Sequence, residues 1–226
     1  MTPHKLTRAA GLCALVAGVL FVLPQFIHPE DKVSEVTTTM WAVAHLVNVT
    51  MAVLALIGVT GLYLSKVRET GVLGLIGFLL FGTGFLMIAM VSFAETVILP
   101  QIADVAPRYV NDVLASLVGD PVNGDVGGLA LANGIAGATY LLGGLVFAIA
   151  LFRASIVPRW TALLLAIGAV ALLLLAGVLP ESMMRTATFP TAIAMMGLGY
   201  WLWRDRTAAA PSSMPSGRSS LTQAGV

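Results

Sequence analysis

VLGLIGFLLFGTGFLMIAMVSFAETVIL, residues 72–99, carries a single ionisable side chain in 28 positions, Glu95. At about 1.5 Å per residue such a run makes a helix of roughly 42 Å, more than the ~30 Å hydrocarbon core of a bilayer. Five other runs share its character: residues 9–27, 40–64, 127–152, 160–179 and about 187–203. The last is the shortest and contains Pro190, which a helix tolerates in its first turn. The chain as a whole agrees with this reading. Of its 226 residues 58% are hydrophobic and 10% charged, against about 25% charged in soluble domains. A water-soluble fold has no place to hide so much apolar surface. The sequence therefore predicts an all-α integral membrane bundle of six transmembrane helices over residues 1–206. A disordered cytoplasmic tail rich in Ala, Pro, Ser and Gly is expected over 207–226.

The first run has the basic start of a signal peptide, Lys5 and Arg8, but Pro24, Gln25, Phe26 and Ile27 follow it with no small-x-small cleavage site. It is expected to stay as the first span. Alternating six spans from a cytoplasmic N-terminus puts Lys5, Arg8, Lys66, Arg68, Arg153, Arg159, Arg204, Arg206 and Arg218 inside. Only Lys32, Arg108 and Arg185 then fall outside. Nine basic residues against three is a strong positive-inside bias, so both termini are expected in the cytoplasm, with the chain in the plasma membrane. Trp41 and Trp160 open their helices, and Tyr200, Trp201 and Trp203 close the last, where interfacial aromatic anchors belong. The single cysteine, Cys13, rules out an intramolecular disulfide.

The connections are uneven. Residues 65–71 and 153–159 read as tight inner turns, whereas 100–126 is long. Within it Val110, Val113, Leu114, Leu117 and Val118 recur at helical spacing, with Arg108, Asn111, Asp112 and Ser116 on the other face and Pro107 at the start. This predicts an amphipathic surface helix in the outer loop between helices 3 and 4. Small residues allow close helix packing in lipid. Ala10, Ala14 and Gly18 make such a stripe on the first span, Ala130, Gly134 and Ala138 on the fourth, and Gly74, Gly77, Gly82 and Gly84 crowd the third.

Ionisable residues inside a span are costly and point to function. Two occur, His45 and Glu95, and counting from the expected helix ends puts both at a similar depth in the outer half. Asn133 enters the fourth span at a matching level, Asn48 lies one turn below His45, and His28 stands at the rim of the first span. This candidate polar cluster admits several chemistries. His28, His45 and Glu95 are possible ligands for a divalent metal with one open position. His45 and Glu95 are a possible proton site. His28 and His45 are possible axial ligands of a haem. The plainer alternative is hydrogen-bonded glue between helices. No GxSxG, HExxH, Walker A or GxGxxG motif is present.

Arg153-Ala-Ser-Ile-Val-Pro-Arg-Trp160 ahead of a Leu/Ala/Gly helix, together with Leu6-Thr-Arg-Ala-Ala-Gly-Leu12, resembles small multi-pass bacterial membrane proteins of the DUF4386 type. The resemblance covers about 30 residues, implies a bacterial plasma-membrane protein, and brings no catalytic residues with it. The sequence thus leads to a multi-pass, non-enzymatic membrane protein, either a structural or accessory partner or one responding to a small ligand or protons, with no cofactor. The alternative is a metal- or haem-dependent membrane enzyme or redox protein. The bilayer, a second copy or another membrane protein are the expected partners, and nothing points to nucleic acid.

Overall fold

The structure is a computed structural model and describes residues 2–175 and 185–204. Among these the elements are helical: α1 (Pro3–Val22), α2 (Pro24–Ile27), α3 (Thr39–Ser65), α4 (Val67–Val97), α5 (Leu99–Ile102), α6 (Pro107–Val118), α7 (Leu129–Ala154), α8 (Arg159–Leu175) and α9 (Phe189–Arg204). A 3-10 turn, Arg185–Thr188, leads into the last. Among the described residues, four stretches are long and apolar enough to cross a membrane: Pro3–Ile27, Thr39–Ser65, Val67–Ile102 and Leu129–Ala154. The expected tail and the end of the run at 160–179 lie outside the described residues.

The long helices pack in chain order. α1 lies against α3, α3 against α4, α4 against α7, α7 against α8 and α8 against α9, and α9 returns to α1. Their outer faces carry exposed Leu46, Leu79, Phe93, Leu142 and Leu163, as lipid contact requires. The inside is apolar and aromatic. Phe21, Phe81, Phe85, Tyr140 and Phe147 are buried together, with Phe21 stacked on Tyr140 at 6.5 Å.

Without a solvent-driven force between helices in lipid, close van der Waals approach carries the packing. A Cβ on Gly77 would lie 2.5 Å from the Phe147 backbone, one on Gly84 2.6 Å from that of Tyr140, and one on Gly143 would run into that of Phe81. α4 and α7 therefore touch backbone to backbone over about two turns. Ala10 and Ala14 of α1 likewise pack onto Gly61 and Gly58 of α3, while Gly18 meets Ala192 and Met196 of α9.

Two expectations are corrected here. Ala130, Gly134 and Ala138 do not face the bundle: all three are exposed, and a Cβ at Gly134 would meet nothing within 4 Å. The packing face of α7 is Ala136, Tyr140, Gly143, Gly144 and Phe147. Trp41 is not an interfacial anchor either, since it is fully buried.

A second apolar cluster lies at one end of the bundle, the cap end. Val36, Trp41, Leu99, Ala103, Val110, Val113, Leu114 and Val126 are buried together there. They come from the connector after α2, from the start of α3, and from α5, α6 and the loop that follows. α6 starts at Pro107 and ends at Gly119, whose φ of 85° suits a residue without a Cβ. Its apolar face covers this small core. Asp112 accepts the Asn123 N–H at 3.3 Å and so ties the following loop back onto α6.

Candidate functional site

His45 is set in place from the start of α3. Thr38 caps that helix, its Oγ1 accepting the Trp41 N–H at 3.2 Å. The cap fixes the register of the first turn, and His45 follows Trp41 by four residues, on the same face. His45 is 1% exposed. Its Nδ1 lies 2.8 Å from the Trp41 carbonyl oxygen. A carbonyl only accepts, so Nδ1 carries a hydrogen and donates. The other ring nitrogen, Nε2, faces Glu95 Oε2 at 3.4 Å.

Glu95 is held by the way α4 ends. Pro100 has no N–H for the Thr96 carbonyl, and the helix breaks at Ile98. The last carbonyls of a helix need outside donors. Trp41 Nε1–H supplies one, to the Glu95 carbonyl oxygen at 3.0 Å. Trp41 therefore joins α3 to α4 by its ring N–H and positions His45 by its backbone carbonyl.

His28 closes the group from above. It precedes Pro29, which disfavours helical backbone, and its ψ is 122°. The chain leaves α2 there, and the His28 ring comes to 4.8 Å from that of His45 and 5.8 Å from that of Trp41. Its Nδ1 lies 2.7 Å from the Pro29 carbonyl oxygen. The Trp41 and His45 rings are 4.2 Å apart. Beyond the site, the connector carries an exposed Lys32–Glu30 ion pair, and the adjoining carboxylate raises the Lys32 ammonium above the ordinary lysine range.

Of the residues singled out by sequence, the structure brings His28, His45 and Glu95 to one place and leaves two out. Asn133 is spent on α6: its Nδ2 donates to the Ser116 and Leu117 carbonyls at 3.3 and 3.2 Å. These belong to the last turn of α6, where carbonyls lack intrahelical donors. Asn48 is half-buried and makes no side-chain hydrogen bond to the described residues. The residue that sequence reasoning missed is Trp41. Its signal was its position one turn before His45, which was read as interfacial.

The two histidines fit the axial positions of a single haem poorly. Among the described residues no three His, Cys, Asp or Glu side chains are grouped to hold a metal ion. His45 Nδ1 is committed to a carbonyl and Nε2 to Glu95. The two histidine rings contact one another directly, with no room between them for a macrocycle. What the arrangement can do is hold a proton. With Nδ1–H engaged, Nε2 is left facing Oε2 across a gap in which a proton can be shared.

Comparison with protein-family models, with curated proteins and with solved structures returns no match.

Proposed function

We propose that the chain is a non-enzymatic, proton-responsive membrane protein whose sensor is the His45–Glu95 pair beneath the cap. The observation that carries this reading is the 3.4 Å approach of Nε2 to the carboxylate while Nδ1 is held by the Trp41 carbonyl. When the shared proton is present, an N–H points at Glu95 and the contact between α3 and α4 is attractive. When it is absent, an imidazole lone pair faces a carboxylate and the contact turns repulsive in a poorly solvated setting. Trp41 bridges the same two helices and is part of the cap core, so the change reaches the cap directly. Among the described residues, the titratable groups that bear on His45 are His28, whose ring adjoins it, Glu95 from α4, and Asp31 of the connector through its charge.

The setting of this pair is a six-span bundle in the plasma membrane with the cap outside and both termini in the cytoplasm. The packing of α8 and α9 into the bundle supports six spans, because α9 runs along α1 from the Gly18–Ala192 contact to the Gly11–Trp203 contact. The nine-to-three distribution of basic residues supports the orientation.

The test uses Trp41 as reporter, in a chain carrying Trp160→Phe, Trp201→Phe and Trp203→Phe. An imidazolium against an indole quenches its emission more than a neutral imidazole does. Emission is expected to titrate within about pH 5–8, the usual range of histidine chemistry, and to lose that step in His45→Gln. A flat profile, or a step indifferent to His45→Gln, removes the reading.

A further inference from the structure

At the end of the bundle opposite the cap, α1, the turn before α8, and α9 enclose an open groove of about 840 Å³. Its charge comes from Arg8 and Arg204, with His4 beside them, and its walls include Trp160, Trp201 and Trp203. The groove has a local cause. Gly197 has no Cβ, and the Trp160 indole lies in the space one would take. Trp160 thus packs against α9 at Gly197 and forms a wall of the groove. Arg8 sits over the Trp203 ring at 5.2 Å and Arg204 over the Tyr200 ring at 5.5 Å, with an Arg204 N–H donated to the Tyr200 hydroxyl at 3.1 Å.

Among the described residues, neither Arg8 nor Arg204 makes an ion pair. A guanidinium seated on an aromatic face keeps an N–H fork for a planar or tetrahedral oxyanion. We infer that this groove binds the phosphate headgroup of an anionic phospholipid. A phosphate-bearing solute shares the chemistry, but the apolar walls favour the lipid. Trp160 and Tyr200 are about half exposed, 51% and 47%, in the belt where aromatic rings meet headgroups. The chain's own continuation from 205 is a poor occupant on charge, since its side chains bring one acid, Asp205, against Arg206 and Arg218. The inference rests on the membrane-spanning reading and is independent of the His45–Glu95 pair.

Three of the four tryptophans line the groove, so it reports on itself. The full chain is reconstituted in phosphatidylcholine vesicles, and tryptophan quenching is measured as either brominated phosphatidylglycerol or brominated phosphatidylcholine is introduced. The anionic lipid is expected to quench at a lower mole fraction. Arg8→Gln with Arg204→Gln is expected to cost about fivefold in that preference per arginine, as for basic groups at an anionic surface. Both arginines are exposed, so the variant should keep its fold, which circular dichroism checks. If the double variant unfolds, each single variant is read in its place. Equal quenching by the two lipids overturns the inference, and so does a preference that survives loss of the arginines. Displacement of the anionic lipid by inorganic phosphate would mark a soluble-anion site and equally overturn the assignment to lipid.

Discussion

Trp41 combines three kinds of contact at the cap end. Its N–H is capped by Thr38, its carbonyl accepts from His45, and its ring N–H reaches the Glu95 carbonyl. The ring also fills the cap core. Trp41→Phe keeps most of the packing and leaves the Glu95 carbonyl without this donor. It is expected to lower stability by about 1 kcal/mol, the usual net worth of a hydrogen bond. Trp41→Ala should cost more, about 3–5 kcal/mol, as a large buried side chain is removed. Denaturation in mild detergent measures both, and equal effects of the two would contradict the role given to the ring N–H. His45 and Glu95 were readable from sequence because ionisable residues stand out in apolar spans and their depths follow from the helix ends. Asn133 was not readable in the same way. Depth says nothing about which carbonyl an amide will find, and the end of α6 lay nearer at hand.

Rotation about the helix axis is what an apolar helix hides. When lipid and core are equally apolar, no alternation of polar and apolar residues marks the buried face. Small residues spaced four apart on α7 therefore read as a contact surface, although Ala130, Gly134 and Ala138 point outward and Gly143 carries the contact. α6 is the contrasting case. It meets water as well as protein, so its two faces differ, and its helical spacing could be recognised directly. The packing of α4 on α7 predicts a sharp asymmetry. Gly143→Ala or Gly77→Ala would drive a methyl group into a neighbouring backbone and should cost about 1–3 kcal/mol. Gly134→Ala meets open space within a helix and should be neutral or stabilising by up to about 1 kcal/mol. Melting temperatures of the purified variants decide this, and similar losses at Gly134 and Gly143 would refute the packing described.

At the scale of the whole molecule the two ends are chemically unlike. One end has a protein-built cap over a polar site, with the acidic side chains Glu30, Asp31, Asp104, Asp112, Asp120 and Asp125 around it. The other has short turns and aromatic residues beside cations. The proposed orientation follows from that difference and can be checked in intact cells. In a Cys13→Ala background, Asp120→Cys is expected to react with a membrane-impermeant maleimide and Arg153→Cys only after the cells are opened. The reverse pattern would invert the topology, and labelling of both from outside would break the six-span alternation.

In the proposed sensor one proton resides between His45 Nε2 and Glu95, with Nδ1 permanently donating to the Trp41 carbonyl. Nitrogen-15 spectra of the histidine-labelled full chain in lipid nanodiscs, with His45 assigned by its loss in His45→Gln, test it most directly. The account predicts an Nδ1 that stays protonated throughout a pH titration and an Nε2 that passes between bare and protonated forms. A bare Nδ1, or an Nε2 whose state does not change with pH, would contradict it.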